Sequence, residues 1–513
     1  MCLFVVSMGR WVLAATILAS SMAFIDGTVV NVALPFLQTN LNATAIGIQW
    51  VVEAYSLFLS ALLLVGGSLG DRYGRRRIFN IGVVVFAIAS GLCGLAANIE
   101  QLIAARAVQG IGGAMLVPGS LALISSSFDE DKRGKAIGTW SGFSAITTAI
   151  GPVLGGWLVE NWTWRAAFFL NLPLAVAVLV ISVWKVPESR EHGEQKRLDW
   201  IGAALATIGL GGVVYGLIES PRLGFSNALV LVSLIGGAVC LALFVFNEAR
   251  AKNPMVPLTL FRSRNFSGAN ILTLLLYAAL SGMMFFFALN LIQVQGYSAT
   301  AAGAALLPFI VIMFSLSRWS GGLVDRFGPR LPLTVGPTIV AVGFALLAVP
   351  SVSDNYWTSF FPAVVVQGLG MAISVAPLTT TVMGSVGEEQ AGVASGINNA
   401  VSRTAGLLAI AVFGVVMLHA FSHALTRRLD EIQLDNQLKH SVYEQRVKLA
   451  GLELPSNVDP ATQDTMKGAV ADSFVFGFRI VMLTSAALAL ASGGSAWLLI
   501  RKSPLAQSKK KRD

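Results

Sequence analysis

The chain has 513 residues, of which 55% are hydrophobic and only 12% are charged. Soluble globular domains carry about 25% charged residues, so this composition excludes a water-soluble enzyme and excludes a disordered chain more firmly. A transmembrane helix needs about 20 apolar residues, whereas the strands of a membrane β-barrel are ~10-residue segments of alternating polarity. The apolar runs here are long and continuous, which predicts an all-α polytopic membrane protein.

The chain carries a formal net charge of +9, from 36 basic and 27 acidic residues. The basic residues stand in short clusters between apolar runs, so we expect no nucleic-acid partner. The three cysteines have no paired spacing, and they predict neither a disulfide framework nor a metal ribbon. His419 and His423 have a spacing that can bind a metal, but no acidic or thiol partner accompanies them, so no metal site is expected.

Length and apolarity predict fourteen membrane spans. They cover residues 11–34, 48–69, 78–97, 101–125, 137–159, 166–185, 200–219, 227–246, 268–290, 302–323, 331–349, 358–383, 397–420 and 477–500. The first span resembles a signal peptide because Arg10 precedes an apolar run. That run continues through Pro35 without a convincing cleavage site, so we interpret it as a retained helix.

The lysines and arginines predict the orientation of the chain. With the N-terminus in the cytoplasm, 24 of them fall in inside loops or the tail and 8 in outside loops, six of these within segment 421–476. Cytoplasmic loops carry the excess of basic residues, so both termini are expected to be cytoplasmic. We expect a multi-pass protein of a bacterial inner or plasma membrane.

Segment 421–476 is the one long polar insertion between predicted spans. Leu425, Leu429 and Ile432 have helical spacing, which predicts a small external helical cap. A tolerated surface loop is favoured over a substrate gate.

Two short stretches repeat each other. Gly67–Arg76 reads GSLGDRYGRR and Gly321–Arg330 reads GGLVDRFGPR, and their aspartates are 254 residues apart. Such a repeat indicates duplication of one half of the chain with parallel topology, as transporters often show. The charges can form a latch that breaks and re-forms as two helix bundles rock, although a turn with topogenic charge explains part of the motif. The proposed latch residues are Gly67, Asp71, Arg72, Gly74, Arg75, Asp325 and Arg326.

Together with other segments, this loop resembles the major facilitator superfamily and its 14-helix drug:proton antiporter branch, the EmrB/QacA type. The supporting segments are Asp26–Pro35, Trp50–Tyr55, Arg106–Gly110, Gly151–Gly156 and Trp164-Arg165…Asn171-Leu-Pro173. The resemblance implies two six-helix bundles with two extra central helices. The expected boundaries are 1–190 for the N-terminal bundle, 191–265 for the inserted helices with their linkers, 266–500 for the C-terminal bundle and 501–513 for a basic cytoplasmic tail.

Ionisable residues at membrane depth are functional candidates because they are costly to place there. Asp26, Glu53 and Arg106 are such residues, and the resemblance implies a role in proton coupling. The alternatives are structural. Asp26 could be permanently paired, Glu53 could be paired locally at the mouth, and Arg106 could form an ion pair that only supports the fold.

Span 5 carries small or kink-forming residues at alternating spacings of four and three, which allows another helix to pack closely. They are Gly138, Gly142, Ala145, Ala149, Pro152 and Gly156. The resemblance identifies this segment as the antiporter motif, and a tight seam between helix bundles that resists leakage is expected. Ordinary helix packing is the alternative. The predicted seam residues are Gly138, Gly142, Gly151, Pro152, Gly155 and Gly156.

The C-terminal half contains no acidic residue at membrane depth and offers amide and aromatic side chains instead. Aromatic faces attract flat or cationic molecules. This distribution predicts proton handling in the N-terminal half and substrate contacts from both halves. The candidate substrate-binding residues are Asp26, Glu53, Tyr55, Gln109, Asn290 and Asn398.

These features predict a proton-coupled secondary exporter of amphipathic, lipophilic cationic or neutral compounds, working by alternating access. A narrow exporter of an endogenous metabolite or antibiotic is the alternative. The chain has no phosphate-binding Gly-x-x-x-x-Gly-Lys-Ser/Thr loop and no His-Glu-x-x-His or Gly-x-Ser-x-Gly motif, so neither an ATP motor nor an enzyme is expected. The expected energy source is the proton motive force, without a cofactor. The expected partners are a small-molecule substrate, protons and the lipid bilayer, with a periplasmic adaptor as an optional partner of a monomer.

Overall fold

The computed structural model describes residues 2–128, 130–189, 199–251, 254–387, 390–432, 436–454 and 459–501. In these residues the secondary structure is helical and contains no strand. Thirteen of their helices are long and apolar enough to cross a membrane. The fourteenth predicted span, 137–159, lies on a further long helix, Glu130–Asn161. Helices dominate because a chain in lipid must satisfy its backbone hydrogen bonds internally. The prediction of an all-α polytopic membrane protein is therefore confirmed.

The chain divides into two compact units. The first comprises Met1–Ala33, Trp50–Val213 and Val232–Leu258. The helices of this part of the chain are α1 (Cys2–Asn40), α2 (Ala45–Tyr73), α3 (Arg75–Leu95), α4 (Ile99–Ser127), α5 (Glu130–Asn161), α6 (Trp164–Phe169), α7 (Asn171–Lys185), α8 (Trp200–Leu223) and α9 (Ala228–Arg250).

The second unit comprises Leu34–Gln49, Val214–Leu231 and Thr259–Asp513. Its own helices are α10 (Arg264–Leu289), α11 (Ala299–Ala304), α12 (Leu307–Gly321), α13 (Leu323–Phe327), α14 (Arg330–Leu347), α15 (Phe361–Met383), α16 (Ala391–Glu431), α17 (Asn436–Glu444) and α18 (Pro460–Leu499). Short π-helical segments at Asn290–Val294 and Tyr356–Phe360 adjoin α10 and α15.

Each unit contains a helix pair that crosses backbone to backbone through two glycines. In the first unit, a Cβ placed on Gly82 of α3 would lie 3.0 Å from the carbonyl oxygen of Gly112 in α4. In the second unit, a Cβ on Gly336 of α14 would lie 2.9 Å from the carbonyl oxygen of Gly370 in α15. Only glycine permits such an approach, so this crossing extends the predicted internal repeat beyond the two loops.

An arginine closes the end of one helix in each pair. Nη1 of Arg165 donates to the carbonyl oxygens of Gly94 and Ala96 at 2.7 Å, at the end of α3. Nη2 of Arg479 donates to the carbonyl oxygens of Val349 and Pro350 at 3.2 Å, just beyond α14. These contacts satisfy carbonyl groups that have no partner inside their own helix.

The polar segment between the last two spans is largely helical, as predicted. The helix α16 continues to Glu431, α17 and a 3₁₀ segment at Gln445–Gly451 follow, and α18 begins at Pro460. Nε2 of Gln38 donates to the carbonyl oxygen of Lys448 at 2.8 Å, and Nζ of Lys448 donates to Oδ1 of Asn42 at 2.9 Å. The segment is therefore anchored to the end of α1 within the second unit.

Candidate functional site

The carboxylate of Asp26 is the centre of a buried polar cluster in the first unit. Asp26 lies in α1 with 1% of its surface exposed. Its Oδ2 accepts a hydrogen bond from Nη1 of Arg106 at 2.5 Å. Its Oδ1 accepts from Nε2 of Gln109 at 2.8 Å and from Nδ2 of Asn171 at 3.2 Å. Helices α4 and α7 thus supply three donors to one carboxylate.

Arg106 is also fully enclosed by partners. Its Nη1 additionally donates to Oε1 of Gln109 at 2.7 Å, and its Nε donates to the carbonyl oxygen of Val51 in α2 at 3.1 Å. Its guanidinium carbon lies 4.2 Å from the centre of the Tyr55 ring. A buried ion pair is stable only when the remaining donors and acceptors are satisfied, and these contacts meet that condition.

Two members of the cluster were missed from the sequence. Asn171 bonds Asp26 and also donates to Oγ of Ser90 at 2.9 Å, and Ser90 in turn donates to the carbonyl oxygen of Phe168 at 2.8 Å. Asn171 belongs to the Asn171-Leu-Pro173 segment, so a polar side chain opening an apolar span was the available signal. Ser90 gave no such signal, because a serine inside an apolar helix commonly bonds its own backbone.

Glu53 is buried in the same unit without joining this cluster. It lies in α2 with 0% of its surface exposed, and neither carboxyl oxygen has a hydrogen-bond partner among the described residues. An ionised carboxylate without a counter-charge or donor costs several kcal/mol to bury. Glu53 thus has no compensating group among the described residues, whereas the Asp26 carboxylate has Arg106 as its counter-charge.

The first copy of the proposed latch forms charge contacts at the end of α2. Nε of Arg75 donates to Oδ1 of Asp71 at 2.8 Å. Arg76 lies 3.8 Å from Oε2 of Glu188 and donates from Nη1 to the carbonyl oxygen of Val186, which follows α7. Gly74 has φ +108°, and a Cβ there would lie 2.8 Å from Oε1 of Glu188, so the turn requires glycine.

The other residues of the first copy make looser contacts. The guanidinium of Arg72 lies 5.3 Å from the centre of the Tyr73 ring. A Cβ on Gly67 would lie 3.6 Å from Cβ of Pro118 in α4, which is an ordinary van der Waals distance.

The second copy of the latch is built differently. Pro329 stands where the first copy has Arg75, so the aspartate–arginine contact of the first copy has no counterpart. Asp325 and Arg326 are both exposed. The guanidinium of Arg330 instead lies 3.9 Å from the centre of the Trp497 ring in α18. A cation–π contact in the second unit thus takes the place of the ion pair in the first.

The predicted seam of span 5 packs against α1 through two of its glycines. A Cβ on Gly151 would collide with Oγ1 of Thr28, and a Cβ on Gly155 would lie 2.8 Å from Cγ1 of Val29. Both contacts lie inside the first unit and stand next to Asp26 in α1. Pro152 and Gly156 are buried, whereas Gly138 is exposed with nothing within 4 Å of a built Cβ. Gly142 lies in α5, and its surroundings fall outside the described part of the chain.

Replacing Gly151 by alanine is expected to destabilise the protein by about 1–3 kcal/mol, because the new methyl group overpacks the contact with Thr28. Gly138→Ala is the matched control in the same helix, where the methyl group enters open space and helix propensity favours alanine. Thermal unfolding of both variants in detergent measures the difference. Equal unfolding temperatures would show that α5 does not need close contact with α1.

The amide candidates of the second unit are held by local contacts. Asn290 is 1% exposed, opens the π-helical segment and accepts from Nε2 of Gln295 at 3.4 Å. Nδ2 of Asn398 in α16 donates to Oδ1 of Asn270 at 3.1 Å and to Oγ1 of Thr273 at 2.7 Å. Asn398 thus belongs to a polar cluster that joins α16 to α10.

Comparison with known proteins identifies the fold. The family profile described as Major Facilitator Superfamily matches residues 16–410. A bacterial homolog of the human lysosomal transporter Spinster, solved in an inward-facing and unoccupied conformation, matches with a TM-score of 0.66 and 17% identity over 98% of both chains. At this identity the likeness shows a shared fold.

Three curated relatives match at higher identity. The multidrug resistance protein Stp of Mycobacterium tuberculosis is 35% identical over 485 residues, covering 93% of this chain and 89% of the relative. The tetracenomycin C resistance and export protein of Streptomyces glaucescens is 31% identical over 96% of this chain and 91% of its own. The methylenomycin A resistance protein of Bacillus subtilis is 34% identical over 80% and 88%. The resemblance seen in the sequence is thereby confirmed, and the chain belongs to the major facilitator superfamily.

Proposed function

We propose that this protein exports amphipathic, lipophilic cationic or neutral compounds in exchange for protons, by alternating access. The observation that carries the proposal is the pair of buried carboxyl groups in the first unit. One is compensated by Arg106, and the other has no partner in the described part of the chain. The similarity to resistance and export proteins supports the direction of transport and the substrate class.

The two carboxyl groups are suited to different tasks. Asp26 already has its counter-charge in Arg106, so taking up a proton there would break a satisfied ion pair. Glu53 has no hydrogen-bond partner to lose among the residues that the structure describes. In our proposal Glu53 carries the exchanged proton, and the Asp26–Arg106 pair holds α1, α2 and α4 in position around it.

Charge balance explains how such a group couples transport. Neutral Glu53 can pass its proton to water that enters from the cytoplasm, and the carboxylate left behind is then compensated by a lipophilic cation. A proton arriving from outside returns Glu53 to its neutral state and removes the attraction for the cation. One site thus holds either the proton or the cation, which is the requirement for exchange.

The distribution of basic residues indicates how the protein is oriented in the membrane. We propose that both termini and the Gly67–Arg76 loop face the cytoplasm of a bacterial cell, since cytoplasmic loops hold the excess of lysine and arginine. We further propose that the chain works as a monomer and that a periplasmic adaptor is not part of the transport step itself.

A second candidate function is the export of one endogenous metabolite or antibiotic. Two of the relatives carry the name of a single antibiotic, namely tetracenomycin C and methylenomycin A. The same proton coupling would serve this function, and only the substrate range would differ.

Efflux of a fluorescent lipophilic cation from cells that lack their own pumps tests the proposal. We expect energised cells with the wild-type protein to lose the dye faster than cells with an empty vector, and a protonophore to abolish the difference. Efflux that persists with the protonophore would contradict proton coupling. No efflux of several chemically different dyes would favour the narrow exporter, and a search over antibiotics would follow.

A further inference from the structure

Two acidic side chains lie close together where the start of α8 is beside the end of α9. Asp199 directly precedes α8, and its Oδ1 accepts from the backbone N–H of Gly202 at 2.7 Å. Its Oδ2 accepts from Nδ2 of Asn247 in α9 at 2.6 Å. Glu248 follows Asn247, and its Oε2 accepts from the backbone N–H of Val256 at 2.7 Å. The two acids therefore connect the start of α8, the end of α9 and the loop that follows α9.

The carboxyl groups lie close enough to interact directly. A Cβ placed on Gly202 would lie 2.6 Å from Oδ2 of Asp199 and 2.9 Å from Oε1 of Glu248, so both oxygens border the same small space. The two oxygens are therefore no more than about 5.5 Å apart, which is the sum of these two distances. Glu248 is only 3% exposed, and its Oε1 has no hydrogen-bond partner among the described residues.

A proton shared by the two carboxyl groups would remove the repulsion between them and give the unpaired oxygen a partner. Two adjacent carboxylates repel each other, and both can only accept hydrogen bonds. When Glu248 is protonated, its hydroxyl becomes a donor to the Asp199 carboxylate, and the unpaired Oε1 gains a partner. The hydrogen bonds from Gly202, Asn247 and Val256 are all compatible with this state, because each needs only an acceptor oxygen.

In the described part of the chain, the groups that contact the pair do not supply a positive charge. In α8 the neighbour that donates is the backbone of Gly202, and in α9 it is the neutral amide of Asn247. Arg250 is the last residue of α9, and its guanidinium lies 4.1 Å from the centre of the Phe246 ring. The loop contributes the backbone of Val256. Among the described contacts of the pair, a proton is thus the available source of compensation.

We propose that Asp199 and Glu248 form a proton-binding site that holds one proton between their carboxyl groups and ties the loop after α9 to the α8–α9 helix pair. Loss of the proton leaves two negative charges together. The ionised carboxylate alone is the stronger acceptor for the Val256 N–H, so in this proposal it is the repulsion from Asp199 that moves Glu248 away and opens the Val256 contact. The site lies on the side that the basic residues predict to be cytoplasmic, so it gives the protein a response to cytoplasmic pH. It is separate from the Asp26 cluster and from Glu53.

Hydrogen exchange of the full-length protein in lipid nanodiscs tests this proposal without any transport assay. The protection factor of peptides containing Val256 is measured from about pH 5 to about pH 9, after correction for the intrinsic exchange rate. The proton is bound in the tied state, so protection is full at low pH. In the wild type it falls by up to about tenfold per pH unit between the pKa of the open pair and the pKa of the tied pair, because opening releases one proton in this range, and it levels off at higher pH.

Glu248→Gln is the matched variant, because its amide can donate to Asp199 and accept from Val256 as the protonated acid does. We expect protection in this variant to be high and independent of pH. Asp199→Asn provides a second pair with a single carboxylate if Glu248→Gln folds poorly, and Glu248→Ala should be open at every pH. A pH-independent wild type, or the wild-type slope in both amide variants, would overturn the proposal. Restoration of protection at high pH by sodium or calcium ions would replace the proton with a metal cation and also overturn it.

Discussion

Replacing Glu53 by glutamine is expected to stop proton-driven export while leaving the protein folded. Glutamine is neutral and close in size to the protonated acid, and no hydrogen bond between described residues is lost, so the unfolding free energy should change by about 1 kcal/mol or less. Without a titratable group, the site can no longer alternate between proton and cation. Efflux of a lipophilic cation from energised cells should fall to the level of the empty vector.

Two controls separate coupling from general damage. Glu53→Asp keeps a titratable group at the same position and should retain part of the proton-driven efflux. Reconstituted Glu53→Gln protein should still exchange labelled neutral substrate for unlabelled substrate across the vesicle membrane, because this exchange needs no net proton movement. Full proton-driven efflux by Glu53→Gln would remove Glu53 from the mechanism and return the role to Asp26.

Breaking the Asp26–Arg106 pair from one side is expected to cause the largest loss of stability. Arg106→Gln leaves the Asp26 carboxylate at 1% exposure without a counter-charge, and Asp26→Asn leaves the guanidinium in the same position. Removing one partner of a buried ion pair costs about 3–5 kcal/mol. The double variant removes both charges and should recover much of that loss. Unfolding of the wild type, both single variants and the double variant in detergent measures the coupling energy.

Arg165→Gln is the matched control for this cycle. Arg165 lies in the same unit but donates to the carbonyl oxygens of Gly94 and Ala96, without an acidic partner. Combined with Asp26→Asn, it should show additive losses, as expected for sites that share no partner. Additive losses for Asp26 and Arg106 themselves would show that the two charges do not depend on each other.

The sequence-based predictions agree with the structure for features that depend only on residues close together in the sequence. The fourteen spans follow from the length of apolar runs, since bilayer thickness sets the length of a spanning helix. Asp26, Glu53 and Arg106 stand out because few ionisable residues interrupt those runs. Gly74 lies in the turn between α2 and α3, where its φ of +108° is a conformation that favours glycine.

The partners of these residues depend on which helix faces which, and helical periodicity does not contain that information. Gln109 and Asn171 bind the Asp26 carboxylate from positions 83 and 145 residues further along the chain. The pairing of Asp199 with Glu248 likewise appears only once α8 and α9 lie side by side. The second latch copy also differs from the first. Pro329 stands in place of the arginine that pairs with Asp71, and Arg330 contacts the Trp497 ring instead of an acid.

The sequence by itself determined the membrane class, the approximate number of spans, the internal repeat and the short list of buried charged residues. Each of these depends on composition or on spacing along one helix. Only the tertiary structure decided that Asp26 is fully compensated and that Glu53 is not. Whether a buried acid holds a charge depends on donors and counter-charges within a few ångströms, and helix packing brings those groups from distant parts of the chain.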